Sequence, residues 1–265
     1  MDEKFAMSIN HQIKNYMIEH REFLSRGDET KALCFHGVVD ELTYLKQVHK
    51  ICFLLKETNI TDPSKKKDWD YANWLNYNQL RGEKREKDDK ETLYKTYHNV
   101  CMWVAMFYDL LSEKDVQYAN YTYTETDDGA LNLNKIKGEL AKVAFVNLKK
   151  TWGGPYTQWK DLNRYIKDKI DNQWSVNPEI QATLNFEMSL INPQIVICGS
   201  QVVYDFARSI FCVDKEMAEI TQTDAFQSNG VLFVNFRHPA CRGSRKNQFE
   251  YAKKIFNEIA MIIKE

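Results

Sequence analysis

The tetrad Arg237-His238-Pro239-Ala240 follows the apolar run Val231-Leu232-Phe233-Val234-Asn235-Phe236. An imidazole just past the carboxyl end of a buried strand is aimed at a crevice instead of the core. Pro239 removes a backbone donor and restricts His238 to extended conformations. Three other apolar runs also end in polar residues suited to chemistry. Lys50 to Leu55 leads into Lys56-Glu57-Thr58-Asn59, Val143 to Val146 into Asn147-Leu148-Lys149-Lys150, and Gln194 to Cys198 into Gly199-Ser200-Gln201. An acid, an amide, a glycine turn opening a helix and a histidine can together read a ligand edge, balance charge across a breaking bond and approach an anion. In open parallel sheets ligands sit outside the carboxyl ends of the strands, so these segments would share one rim. Taken singly, Glu57 reads equally as an exposed loop acid, Asn147 as a loop cap and Gly199 as a tight turn. The joint pattern carries more than any member.

The elements that must hold these residues alternate between strand and helix. Phe5, Ile9, Ile13, Met17, His20 and Leu24 recur at helical spacing, with Gly27 as a stop. Leu93, Tyr97, Cys101, Val104, Phe107, Tyr108 and Leu111 trace one face of a long helix. Tyr156 to Ile170 reads as helical, and Gln117 to Asp128 as a weak hairpin or loop. Asn177-Pro178-Glu179 is a strong helix start, with a capping amide, proline at the first helical position and an acid near the positive end. That helix runs to about Leu190, where Asn192-Pro193 breaks it. Val203, Phe206, Ala207 and Ile210 mark a helix after Gly199, and Ala252, Ile255, Ile259 and Ile262 a closing one over Gln248 to Ile263. The alternation predicts a three-layer α/β/α sandwich around a central, mostly parallel four-stranded sheet. Residues 1–265 are expected to form one domain, with a helical N-terminal part over 1–48 and a polar insertion over 59–92.

The formal net charge is −1, so nucleic-acid binding would need a local basic face and not a basic chain. No segment approaches the roughly 18 apolar residues of a membrane span. The start Met1-Asp2-Glu3-Lys4 lacks a secretory plan, and a cytoplasmic location is expected. The six cysteines show no C-x-x-C spacing and the histidines are scattered, so neither a metal nor another cofactor is expected. Phosphate-loop, dinucleotide-binding and nucleophile-elbow motifs are absent from the sequence.

The four strand ends resemble the motifs of the uracil-DNA glycosylase superfamily. The stretches that carry the likeness are Ile51-Cys52-Phe53-Leu54-Leu55-Lys56-Glu57-Thr58-Asn59, Ala144-Phe145-Val146-Asn147-Leu148-Lys149-Lys150, Ile195-Val196-Ile197-Cys198-Gly199-Ser200 and Asn235-Phe236-Arg237-His238-Pro239-Ala240. The resemblance implies that fold, DNA as partner with no obligate protein partner, and hydrolysis of an N-glycosidic bond to leave an abasic site. The target nucleotide must leave the stack to be reached. By the resemblance, Asn147 reads the base, His238 stabilises the departing base anion, and Glu57 supports the sugar cation and the water. Family members carry glycine before the first-motif acid or glutamine and proline soon after, where Lys56 and Asn59 stand here. Which of Glu57, Thr58 and Asn59 faces the water stays open.

Tyr71 and Trp74, with Trp69 and Tyr77 nearby, could stack on the everted base or simply anchor the insertion. Lys149, Lys150, Arg237, Arg242, Arg245 and Lys246, with Gly199, Ser200 and Ser244, form the expected phosphate-facing set. Some relatives follow the His-Pro motif with a leucine wedge; here Ala240 and then Cys241-Arg242-Gly243-Ser244-Arg245-Lys246 follow, where a long arginine could fill the hole left by the everted base or the loop could simply grip phosphate. The altered first motif and the insertion point to a base other than plain uracil. Divergent relatives remove bulky bases such as glucosylated hydroxymethylcytosine from phage DNA in antiviral defence. A uracil repair enzyme, or a non-catalytic DNA-binding module, are the alternatives.

Overall fold

A computed structural model of the chain describes residues 8–28, 31–56, 68–72, 75, 95–121, 123, 132–151, 159–170, 173–211, 216–217, 220 and 222–264. The strands are β1 (Cys34–Phe35), β2 (Gly37–Val38), β3 (Ile51–Leu55), β4 (Trp69–Asp70), β5 (Val143–Asn147), β6 (Lys167–Ile170), β7 (Gln173–Val176), β8 (Ile195–Cys198), β9 (Glu216–Met217), β10 (Ala225–Ser228) and β11 (Val231–Asn235). The helices are α1 (Ile9–Glu19), α2 (Arg21–Leu24), α3 (Glu41–Leu45), α4 (Lys95–Leu111), α5 (Leu133–Leu140), α6 (Trp159–Ile166), α7 (Pro178–Ile191), α8 (Gln201–Phe211) and α9 (Arg245–Lys264).

The apolar runs β5, β3, β8 and β11 pair in that order, all parallel. Strands buried on both faces read as continuous apolar runs, which is why these were visible in the sequence. The sheet is wider than the expected four strands. Among the described residues it has seven, in the order β2-β5-β3-β8-β11-β10-β9, and the three added strands extend its two sides through antiparallel pairings. β2 and β9 have two residues each and carry too little pattern to be read. β10 is joined to β11 through Asn229-Gly230, both at positive φ (51° and 76°), the geometry that a two-residue hairpin turn requires.

The pleat divides the core in two. Ile51, Phe53, Leu55, Val143, Phe145, Ile195, Ile197, Leu232 and Val234 face α4 and α9, where they meet Val100, Trp103, Phe107, Phe249, Ile255 and Phe256. Cys52, Leu54, Ala144, Val146, Val196, Cys198 and Phe233 face α1, α7 and α8, where they meet Ile13, Met17, Leu184, Val203 and Phe206. The fold is therefore mixed α/β with helices against both faces of a mostly parallel sheet. Cys52 and Cys198 are buried small hydrophobes, as their place in the runs implies.

Local signals act as read at several ends. The Asn177 side chain accepts from the Glu179 and Ile180 amides with Pro178 at the first turn, and Asn192 closes α7 in the left-handed region (φ 48°). Gly27 follows α2 at φ 76°. Tyr156 to Ile170 departs from the expected single helix. α6 ends at Ile166, and β6 then pairs antiparallel with β7. Asp168 is held there by an ion pair with Arg26 at 2.5 Å and by the Asn177 side-chain amide at 2.6 Å. Those contacts outweigh a weak local helical preference.

Beneath the sheet, on the α7 side, Lys150 forms an ion pair with Glu187, and both side chains are shut off from solvent (0% and 1% exposed). Burial presses both toward neutrality, Lys150 downward and Glu187 upward in pKa, while their mutual attraction opposes it. Removing one partner strands a charge in the core. Glu187→Ala is expected to cost about 3–5 kcal/mol of unfolding free energy, whereas Lys150→Met with Glu187→Leu recovers most of it. Urea denaturation of the three proteins checks this, and a Glu187→Ala midpoint equal to that of the wild type would refute it.

Candidate active site

The register sets the strand ends side by side. Leu55 lies opposite Asn147, and the pairing runs on as the Leu148 amide donates to Leu55 O (2.9 Å) and the Lys149 amide to Lys56 O (3.0 Å). The Gly199 amide donates to Leu54 O, and the Phe236 amide to Cys198 O, both at 2.9 Å. Four adjacent strands at about 4.8 Å spacing make a rim roughly 14 Å wide. Beyond Phe236 the chain folds back along that rim. A side-chain carbon added at Gly199 would lie 3.7 Å from His238 Cδ2 and only 2.6 Å from Leu55 Cδ2. Glycine at 199 thus lets the ends of β3 and β8 and the His238 ring close on one another. Ser200 accepts from the Val203 amide (3.3 Å) and caps α8.

His238 is half-buried. The Ala240 amide donates to its Nδ1 at 3.0 Å, so a neutral ring carries its proton on Nε2. Burial lowers the His238 pKa from the ordinary value, and the Lys56 ammonium lowers it further. The loop is tied to α4, where the buried Asn99 side-chain amide donates to Pro239 O at 2.6 Å. Beside Asn99, His98 is pushed down to about 4 by burial and by Arg245. Both imidazoles are thus biased toward the neutral form.

At the other end, Asn147 is 3% exposed and its Nδ2 lies 2.8 Å from Nε2 of His36, itself 2% exposed. Burial, then the Lys150 charge, holds the His36 pKa well below the ordinary histidine range. His36 sits between β1 and β2. β4 pairs with β1, the Leu33 amide donates to Asp68 Oδ1 at 2.9 Å, and Arg21 forms an ion pair with Asp68. These ties bring Tyr71 against the His36 ring (centroids 5.6 Å), edge-on to Phe145 and Trp69, with its hydroxyl 3.3 Å from that of Tyr97.

The expected phosphate-facing residues divide. Arg237 is exposed and lies over the Tyr251 ring at 3.9 Å. Arg242, Gly243, Ser244, Arg245 and Lys246 are exposed, Lys149 is half-buried, and Ser244 accepts from the Asn247 amide at the start of α9. Lys150 does not belong with them. The chain turns it inward after β5 to meet Glu187, so it cannot reach a backbone phosphate. Glu57, Thr58, Asn59 and Trp74 lie outside the described residues. The sequence reading missed His36 and Asn99, and placed Lys56 at the rim without giving it a role. His36 is a lone histidine between two-residue strands, and Asn99 sits on a helix face otherwise apolar, so neither left a pattern.

Among the described residues no cluster of three His, Cys, Asp or Glu side chains is placed to hold a metal ion, and no helix is long and apolar enough to cross a membrane. No protein-family model matches the chain, and no curated protein is detectably similar to it.

The imidazole of His238 should titrate below the free-histidine value of about 6.5. Because the Lys56 charge disfavours the imidazolium, Lys56→Gln should raise that midpoint. Proton–carbon NMR titration of the ring reads both; an unchanged or lowered midpoint in Lys56→Gln would refute the electrostatic link.

Proposed function

We propose that the chain is a DNA glycosylase with an α/β/α fold of the uracil-DNA glycosylase kind. The observation that carries the reading is the His238 ring beside Gly199, its Nδ1 occupied by the Ala240 amide, so that in the neutral form favoured by its lowered pKa the donor is Nε2–H. It shares the sheet face and carboxyl rim of Asn147. Cleaving an N-glycosidic bond puts positive charge on the sugar and negative charge on the leaving base. A neutral donor fixed in a partly dry site stabilises the base anion without first giving up a proton. Asn147 reads the everted base with one amide donor and one acceptor. Tyr71 lines the base side of the site. Glu57, next in the chain after Lys56, supplies a carboxylate for the sugar cation and for orienting the water, by analogy with sugar hydrolases. Arg237, Arg242, Arg245, Lys246 and Lys149 grip the phosphates, and the exposed first turn of α9 adds backbone donors.

A modified cytosine is the favoured target, glucosylated hydroxymethylcytosine first among them, with antiviral defence as the setting. The support is the first motif, with Lys56 and Asn59 where relatives carry glycine and proline, and the aromatic-rich stretch that follows. Duplexes bearing uracil, hydroxymethylcytosine or its glucoside, incubated with the protein and treated with alkali, test both claims. Strand breaks are expected at the glucosylated base. Fast release of uracil alone would reject the modified base, and DNA binding with no breaks in any duplex would reject catalysis. His238→Ala is expected to lower the rate about 10²–10³-fold, the scale of losing one oriented donor. Arg242→Ala and Arg245→Ala should weaken binding alike for every base and reduce the salt slope by about 1 each.

A further inference from the structure

We infer that Asn99 is a positioning residue for His238: through one peptide unit, Pro239–Ala240, it determines which ring nitrogen carries the proton. The catalytic consequence rests on the glycosylase reading, whereas the positioning itself does not.

Two contacts share that peptide. Its carbonyl, Pro239 O, accepts from Asn99 Nδ2 at 2.6 Å, and its amide, Ala240 N–H, donates to His238 Nδ1 at 3.0 Å. No peptide bond among the described residues is cis, so this unit is trans. It is a flat, stiff plate whose C=O and N–H point opposite ways, and tilting it disturbs both contacts together. Neither contact leaves its direction open. A backbone amide can only donate and a backbone carbonyl can only accept. Nδ1 of His238 must therefore be the acceptor, and Nδ2 of Asn99, not Oδ1, must face Pro239. In its neutral form His238 is left with the proton on Nε2. A hydrogen bond at the carbonyl also polarises the peptide and strengthens its N–H as a donor.

This peptide is also the one that the local chain holds least firmly. The Cys241 amide donates to His238 O at 2.8 Å, so residues 238–241 form a β-turn with Pro239 and Ala240 at its centre. Type I and type II turns differ by rotation of that central peptide, with the closing hydrogen bond kept in both. The rotated form asks for positive φ at Ala240, which alanine resists and the structure does not show. Asn99 removes the freedom of tilt that remains. It does so from a fixed place, because its side chain is fully buried on α4 (0% exposed). One helical turn further along, Trp103 meets the Phe236 ring edge-on at 4.9 Å. α4 thus grips the chain on both sides of His238, at Phe236 and at Pro239.

Nitrogen NMR of the His238 ring, with no DNA present, reads the place of the proton directly. Above the titration of the ring, wild type should show one tautomer, protonated at Nε2. In Asn99→Leu, close in size but without a donor, the two ring-nitrogen shifts should move toward each other as the second tautomer enters. Asn99→Ser, with a shorter side chain, should act in the same direction and serves if Asn99→Leu fails to fold. Gln248→Leu frees the Arg242 carbonyl of the same loop but not this peptide, and should leave the shifts in place. Two tautomers in wild type, unchanged shifts in the Asn99 variants, or an equal change in Gln248→Leu would each overturn the inference. On a duplex that wild type cleaves, Asn99→Leu should lower kcat by up to about 10²-fold, the scale of a small misplacement of a reacting group. In a His238→Ala background the same substitution should cost little more, and an equal loss in both backgrounds would show that Asn99 does not act through the ring. If wild type cleaves no duplex, the glycosylase reading fails, and the ring spectra still decide whether Asn99 places the proton.

Discussion

Parallel pairing of β3 with β5 on one side and β8 on the other sets where every reactive group of the rim can stand. A parallel ladder allows no free choice of register when both faces of each strand are buried, because a slip by one residue turns every side chain to the wrong core. Here Ile51, Phe53 and Leu55 must face α4 and α9, while Cys52 and Leu54 face α1, α7 and α8. The same alternation sends Asn147 to the face of Leu55. The contact of Gly199 with Leu54 and Leu55 then draws the third strand end, and the His238 loop beside it, to that face as well. The positions of residues 36, 147, 199 and 238 thus depend on apolar packing well below them.

The electrostatics of the rim follow from its depth. The chain is nearly neutral overall, yet exposed Arg237, Arg242, Arg245 and Lys246 flank and follow His238 along the chain. Burial lowers the pKa of His36, His98 and His238, and one cation lowers each further, Lys150 for His36, Arg245 for His98 and Lys56 for His238. An uncharged imidazole with one nitrogen occupied is a directional donor or acceptor, suited to orienting partners. Lys150 shows the other fate of a cation near the rim. Turned inward, it needs Glu187, and the two form a buried anchor between the end of β5 and α7.

The site is held from outside the sheet as much as from within it. Asn99 on α4 holds the carbonyl of Pro239, Gln248 on α9 holds that of Arg242 at 2.9 Å, and Asn10 on α1 clamps Val38 behind His36. Each is a side-chain amide satisfying backbone groups of a loop or of the short strand β2. Such contacts order the loops without adding charge, and they tie the rim to helices on both faces.

The four central strands were legible because burial on both sides leaves unbroken apolar runs, and α7 because its ends carry Asn177-Pro178 and Asn192-Pro193. The Asn229-Gly230 turn was also written plainly, although the strand before it is half-exposed and easily passed over. The sequence by itself determined which residues end the buried strands, hence His238, Asn147 and Gly199 at one edge, since composition within a run and its terminating polar residue are local properties. Only the tertiary structure decided that Lys149 stays at the rim while Lys150 is buried, that His36 meets Asn147 across 111 positions, and that Asn99 secures the His238 loop. Those outcomes depend on which way a side chain points once distant segments have packed, and no local pattern encodes that direction.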